Sequence, residues 1–454
     1  MDFDIGKKLI QEKKFNRALI FFLNEIEKGN KNIKLYFLLG IVYYELNLIK
    51  KSIIYYKLAL KIDPKSINII LNLANANYVI GNFLSAKNLY LRAIKLNRYI
   101  LKAYYGLYLI KPQYLTSRHI LDLNEIKNKN VSLNESYLVE YLLSKIAKQK
   151  KDFELELKHL HKYQKECFIS RNDHNLQGLF YYNKIISKHF DKIKFNKIVS
   201  DDVKLKSISP IFIIGLPRSG STLIESIIGA SDSEILSLGE TSIFNTSIVN
   251  QIKNYVFSKN FDSKKYTFNI DCSEIKKSVL DRYQNFLPKN KKKIFFIDKS
   301  LENFFNIEII LKVFPNAKFI NTKRNYNDSA TAIYQSMLPD LPWTHSIADI
   351  LNYIDNYIKI INYYENKFPN KVLSIQLENF TNRQEFYTKK IYEFCDLSWS
   401  PEILEFYKKK NFIVKTLSNT QLRSQISTYN YKQYQPYQIL LNNFKNKYAW
   451  LNKD

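Results

Sequence analysis

The chain has 454 residues, enough for more than one hydrophobic core, and its 69 Lys+Arg against 42 Asp+Glu give a formal charge of +27 that favours an acidic ligand. No RNA- or DNA-binding signature accompanies that charge, and no uncharged apolar run reaches the roughly eighteen residues of a membrane span, so nucleic acid and a spanning helix are not expected. Cys167, Cys272 and Cys395 are too few and too scattered for a disulfide framework, the histidines show no metal-ligand grouping, and the start MDFDIGKKLIQEKK lacks an apolar signal core; a cytoplasmic, metal-free protein is expected.

The first hundred residues repeat at a period of 34: Ile10, Tyr44 and Tyr78 correspond, as do Phe15, Ile49 and Phe83, then Ala18, Ser52 and Ala86, then Phe22, Tyr56 and Tyr90. Apolar positions recur at three and four residues within each unit, and a break such as Asp63-Pro64 ends the second helix. Each unit therefore reads as a helix hairpin. The unit length and the segment AKNLYLRAIKLN resemble the tetratricopeptide repeat. That resemblance implies a curved stack whose concave face takes a protein partner, a peptide or an acceptor chain, whereas the Tyr and Phe stripes alone read as inter-repeat core. Residues 1–110 are assigned to the repeats. Residues 111–205 form a helical extension, with an irregular connector expected over 111–130, around Pro112 and the polar run NEIKNKN, and helices over 135–148, 153–168 and 176–190.

The stretch Pro210 to Thr222, PIFIIGLPRSGST, combines an apolar strand, a turn between Gly215 and Gly220, and a helix start. Glycines let backbone amides converge on one point, and a helix N-terminus adds unpaired N–H groups, so the loop suits an anion. The glycine spacing equals that of GxxxxGK[ST], but Ser221 stands where an ATP-binding loop carries lysine. Arg218 is the one formal charge in the loop, and its planar fork matches phosphate or sulfate.

Glu240 follows in LGE and reads either as a general base or as a solvated helix-capping acid. KKIFFIDKS is a strand that delivers Asp298 and Lys299 at its C-terminus, the end at which open parallel sheets hold ligands; the same pattern also fits a magnesium-holding strand of a nucleotide kinase. AKFINTKR is a further strand ending in Lys323 and Arg324, and residues 371–380 form the last. Strands alternating with helices imply a parallel sheet. The polar tail 411–425 is expected to close over a site.

Four blocks resemble the sulfotransferases that use 3′-phosphoadenosine 5′-phosphosulfate (PAPS), of the bacterial type fused to tetratricopeptide repeats, with the tyrosylprotein sulfotransferases as relatives. They are PIFIIGLPRSGSTLIESIIG, LGE, IDKSLENFFNIEIILKVFPNAKFINTKR and VKTLSNTQLRSQI. The resemblance implies an α/β P-loop-like sulfotransferase domain over residues 206–454 behind the all-α repeats. It puts Gly215, Pro217, Arg218, Ser219, Gly220, Ser221 and Thr222 around the 5′-phosphosulfate, with Glu240 as catalytic base. Lys299, 25 residues before Arg324, takes the position of the catalytic lysine, and Arg324 that of the 3′-phosphate arginine. Ser418 falls on the leaving phosphate and Arg423 on the nucleotide. The pattern departs at Ala332, where a serine is usual eight residues after the arginine, and at Asn325, where an aspartate is usual; Ser329, one helical turn earlier, is the substitute hydroxyl.

The implied activity is transfer of a sulfuryl group from PAPS, without a metal, to a hydroxyl or amine of a peptide, glycan or small molecule. Two other readings stand beside it: a repeat scaffold with a decayed transferase domain, and a P-loop nucleotide kinase or NTPase.

Overall fold

The period of 34 appears directly as helix starts. In the computed structural model α1 (Phe3–Gln11) and α2 (Phe15–Glu27) form the first hairpin, α3 (Ile33–Glu45) and α4 (Ile49–Ile62) the second, and α5 (Ile67–Val79) and α6 (Phe83–Leu96) the third, followed by α7 (Leu101–Ile110). The structure describes residues 3–128, 136–186, 190, 194–195, 208–231, 235–256, 269–284, 286, 294–408, 413–416 and 418–452.

Each hairpin turns through a left-handed residue at the same place, Lys13 (φ 56°), Asn47 (φ 61°) and Gly81 (φ 81°). Only the last is the residue that adopts this conformation without strain. Packing repeats too: a Cβ on Gly6 would lie 2.4 Å from the Phe22 ring and one on Gly40 2.3 Å from the Tyr56 ring. The glycines thus exist to let a helix meet the aromatic opposite. Ala18, Ser52 and Ala86 are fully buried, and the Ser52 hydroxyl donates to the Gly40 carbonyl at 2.8 Å. The aromatic positions 22, 56 and 90 are core.

Two compact units divide the chain, one of Met1–Tyr163 with Tyr407–Gln425 and one of Gln164–Phe406 with Ile426–Asp454. The first also holds α8 (Ser117–Asn128), α9 (Tyr137–Gln149) and the start of α10 (Phe153–Ile169). The division therefore falls inside a continuous helix, within the stretch expected as a bridge; the expected boundary at 205–206 lies outside the described residues. Glu140 on α9 ties this part of the unit together, with Lys162 Nζ at 2.8 Å, Lys127 Nζ at 3.0 Å and His159 Nδ1 at 2.5 Å. The described residues of the tail 411–425 belong to this first unit. Asn419 is fully buried and donates to the Tyr78 carbonyl at 2.7 Å, and Lys415 Nζ donates to the Tyr44 carbonyl at 2.8 Å.

The second unit is α/β. A short parallel ladder joins β1 (Lys194–Phe195) to β4 (Asn269–Ile270). The main sheet contains β2 (Ile208–Gly215), β3 (Ile235–Ser237), β5 (Ile294–Asp298), β6 (Lys318–Lys323) and β7 (Val372–Gln376), all parallel in the order β3-β5-β2-β6-β7. Central β2 is buried on both faces from Ile211 to Ile214, as a strand covered by helices on both sides must be. Phe212 stacks on Phe319 of β6 with ring centroids 5.4 Å apart.

From β2 the chain goes outward to β3, returns at β5 and then crosses to β6. The C-terminal end of β2 is thus the topological switch point, where open parallel sheets hold ligands. The helices Ser117–Asn128, inside the stretch expected as an irregular connector, and Ile347–Lys367 are both absent from the sequence-based expectations, and the last strand is shorter than expected. Residues 371–380 leave the sheet at Gln376 and turn into the helix Leu377–Asn382, which lets Glu378 accept the Asn325 N–H at 2.8 Å. Among the described residues no helix is long and apolar enough to cross a membrane.

Candidate active site

The loop after β2 is shaped by backbone demands. Gly215 has φ 137°, and a Cβ there would lie 2.5 Å from the Thr322 carbonyl oxygen of β6. Gly220 has φ 90° and its Cβ would lie 2.7 Å from Leu377 Cδ1. Pro217 and Arg218 make the turn between them, with Arg218 itself left-handed at φ 65°. The buried Ser219 hydroxyl donates to the Leu216 carbonyl at 2.6 Å and meets Thr322 Oγ1 at 2.7 Å, so this side chain braces the loop. The helix Ser221–Ile228 starts immediately after Gly220, which supplies no side chain to cap it. Ser221 and Thr222 thus stand at an N-terminus whose dipole favours an anion.

Backbone pairing along β3 and β5 sets the acid against the lysine. Leu238 N donates to the Ile297 carbonyl and Lys299 N to the Gly239 carbonyl, each at 2.9 Å, which carries the ladder past the strand ends. Lys299 Nζ then reaches Glu240 Oε1 at 2.5 Å. The Lys299 side chain is 1% exposed and that of Glu240 60% exposed. Glu225, on the helix after the loop, places Oε2 3.7 Å from the same ammonium. Burial pulls the Lys299 pKa down, but the charges of Glu225 and Glu240 outweigh it and leave the group raised above its ordinary value of 10.5.

Asp298, beside Lys299, is fully buried and spent on structure. Tyr283 OH donates to Oδ2 at 2.6 Å, Thr241 Oγ1 donates to the same oxygen, and the Ser300 amide donates to Oδ1 at 2.9 Å. The magnesium-strand reading of this acid therefore meets a carboxylate whose two oxygens are already engaged. Glu302, hydrogen-bonded by Ser242 Oγ at 2.7 Å, is pushed up in pKa by burial.

Arg324 at the end of β6 is 6% exposed. Its Nη1 donates to the Arg218 carbonyl at 3.0 Å, which joins the two expected arginines through the loop backbone. Its Nε donates to Tyr429 OH at 2.7 Å, and the guanidinium stacks 5.0 Å from the Tyr429 ring and 4.7 Å from the Tyr434 ring. Tyr429 OH in turn donates to Asp328. Asn325 caps the next helix, Tyr326–Tyr334, by accepting the Asp328 N–H, a task that asparagine and aspartate perform alike, so this departure from the expected pattern is neutral for the helix. Ser329 is fully buried and its hydroxyl has no hydrogen-bond partner among the described residues. Ala332 is buried among core residues.

Gly215 through Thr222, Glu240, Lys299, Arg324 and Ser329 thus all belong to the second unit. Ser418 and Arg423 belong to the first. There the Ser418 carbonyl accepts the Leu422 N–H at 3.1 Å. Arg423 Nη2 donates to the Val79 carbonyl at 2.8 Å and Nε to Asn419 Oδ1 at 2.9 Å. Burial lowers the Arg423 pKa.

Three contributors escaped the sequence reading. Glu225 left a signal, an acid inside the apolar helix start LIESII four residues after Ser221. Tyr429 and Tyr434 left none, because they reach Arg324 from about a hundred residues away in the chain.

Residues 210–401 match the model of the sulfotransferase family. A 254-residue segment is 32% identical to an uncharacterized protein of Aquifex aeolicus (strain VF5), covering 52% of this chain and 33% of that protein, so the chain spans about a third of the length of the curated relative it matches. The sulfotransferase domain from the curacin biosynthetic pathway aligns at 16% identity and TM-score 0.33 over 52% of this chain and 90% of its own. The sulfotransferase domain from the Synechococcus PCC 7002 olefin synthase aligns at 14% identity and TM-score 0.34 over 55% and 98%. The matched segment, residues 210–401, contains the loop from Gly215 to Gly220, the Lys299–Glu240 pair and Arg324.

Proposed function

We propose that this protein transfers a sulfuryl group from PAPS to a hydroxyl or amine of an acceptor. The observation that carries the reading is the Lys299–Glu240 pair, a buried ammonium and a solvent-facing carboxylate held 2.5 Å apart inside the sulfotransferase-family segment. PAPS supplies the activated sulfuryl group.

The residues present fit that donor. The loop between Gly215 and Gly220 leads into the N-terminus of the helix Ser221–Ile228, which no side chain caps, the buried Ser329 hydroxyl has no hydrogen-bond partner among the described residues, and the hydrogen bonds of Arg324 to Tyr429 and Arg218 run to neutral oxygens. Arg218 and the amides from Ser219 to Thr222 would hold the 5′-phosphosulfate, and Arg324 with Ser329 the 3′-phosphate. Glu240, exposed enough to meet an acceptor, takes the proton of the attacking hydroxyl or amine. Lys299, kept cationic by its carboxylates, stabilises the negative charge that builds on the departing oxygen. These fixed cations and amides fill the role that magnesium has in phosphoryl transfer. The roles that the resemblance gives to Ser418 and Arg423 remain part of the proposal, as does a cytoplasmic location. The helical repeats serve in it as a platform for the acceptor or a protein partner.

A second reading has one observation of its own: Ala332 puts a buried methyl where a serine hydroxyl is expected. A repeat scaffold with a decayed transferase domain would keep partner binding and lose PAPS. The two separate when radiosulfur-labelled PAPS is incubated with the protein and with separate pools of peptides, glycans, and small alcohols and amines. Label that enters one pool with the wild type and not with Lys299→Ala supports transfer. Label in none of the pools, together with no PAPS binding, supports the scaffold.

A further inference from the structure

We propose that Glu225 is a positioning residue for Lys299: it keeps the buried ammonium charged and aimed while Glu240 is left free to accept a proton. The inference rests on the sulfuryl-transfer reading.

The two carboxylates around Lys299 differ in the freedom they have. Glu240, in the turn after β3, is 60% exposed and makes the direct hydrogen bond. Glu225 is 13% exposed and fixed at both ends: Oε1 accepts from Ser237 Oγ of β3 at 2.5 Å, and Oε2 faces Lys299 Nζ at 3.7 Å. Other acids near Lys299 are engaged elsewhere. Asp298 is bonded by Tyr283, Thr241 and the Ser300 amide, and Glu302 by Ser242.

That asymmetry matters at one moment of the reaction. When the acceptor proton passes to Glu240, the carboxylate becomes a neutral acid and its attraction for the ammonium is lost. A lysine that is 1% exposed and has no other counter-charge would then release its proton, because burial disfavours the charged form. The cation would vanish as negative charge builds on the departing oxygen. Glu225 removes that difficulty: it does not exchange protons with the acceptor, and Ser237 holds it in place. Lys299 keeps all its protons through the step, and the acceptor proton ends on Glu240.

The test reads Lys299 itself. The protein is labelled with acetic anhydride across the alkaline pH range, and acetylation of the peptide carrying Lys299 is quantified by mass spectrometry for wild type, Glu225→Gln and Glu225→Asp. Glu225→Gln should lower the midpoint of Lys299 reactivity by about one pH unit or more, and Glu225→Asp should restore most of it. An unmoved midpoint in folded Glu225→Gln overturns the proposal. If that variant does not fold, Ser237→Ala, which frees the anchored oxygen and leaves the charge, should shift the midpoint in the same direction, and an unmoved midpoint there overturns the proposal as well. PAP added to the wild type should slow acetylation of Lys299. A shifted midpoint without PAP protection overturns the sulfuryl-transfer reading, and with it the positioning role, while the Glu225–Lys299 coupling stands as a structural fact.

Discussion

Lys299 and Glu240 share a hydrogen bond of 2.5 Å although the first side chain is 1% exposed and the second 60% exposed. The pair therefore joins a buried charge to a solvated one, and its two halves should respond differently to removal. Lys299→Ala leaves Glu225 facing a cavity without its cation, so it should lower stability by about 3 kcal/mol and turnover by on the order of 10²-fold. Glu240→Gln removes an exposed charge and should change stability by no more than about 0.5 kcal/mol while abolishing transfer and keeping PAP binding. Denaturant unfolding and PAP release from PAPS measure both. A destabilised but active Glu240→Gln would reverse the assignment.

The first unit should carry an acid-labile contribution to stability of its own. Burial raises the Glu140 carboxyl, but His159, Lys162 and Lys127 outweigh burial and hold it at about 2, from an ordinary 4.5. A depressed folded pKa stabilises fully above the unfolded value and is lost as pH falls through the folded one, so the window is from 4.5 down to about 2. The stabilisation at stake is about 3 kcal/mol. Unfolding followed by circular dichroism across that range should show the loss in the wild type and not in Glu140→Gln, which lacks it at every pH.

Arg423 has a structural role that its expected place on a nucleotide did not foretell. Its bonds to the Val79 carbonyl and Asn419 tie residues 418–425 to the third hairpin, and its guanidinium lies where a Cβ on Gly81 would be, with Cζ at 2.6 Å. Arg423→Ala should lower unfolding free energy by roughly 1.5–3 kcal/mol, the range for hydrogen bonds to a charged donor. Unchanged denaturant unfolding would contradict the packing, and PAP titration of the same variant reads its nucleotide role separately.

What was legible in the sequence was what local rules enforce. The 34-residue period survives as helix starts because every hairpin needs a small residue under an aromatic ring, as at Gly40 and Tyr56. The loop from Gly215 to Gly220 was readable because only glycine tolerates its backbone angles beside Thr322 and Leu377. The helix Ile347–Lys367 had signals that went unread: Ser346 accepting the Asp349 N–H as N-cap, and buried Ile350, Ile354, Tyr357, Ile361 and Tyr364 at helical spacing. The cover over Arg324 was not legible, since Tyr429 and Tyr434 lie beyond the polar tail in a stretch without helical or strand periodicity. Likewise nothing local to residues 413–425 says that Asn419 is buried against Tyr78.

The central claim is a PAPS-type nucleotide site built on the loop after β2 and on Arg324, and thermal unfolding with PAP tests it most directly. At 100 times its dissociation constant PAP should stabilise the wild type by roughly 2.7 kcal/mol, ATP with magnesium should do much less, and Arg324→Ala should abolish the response to PAP. A wild type indifferent to PAP, or an Arg324→Ala variant stabilised as strongly as the wild type, would contradict it.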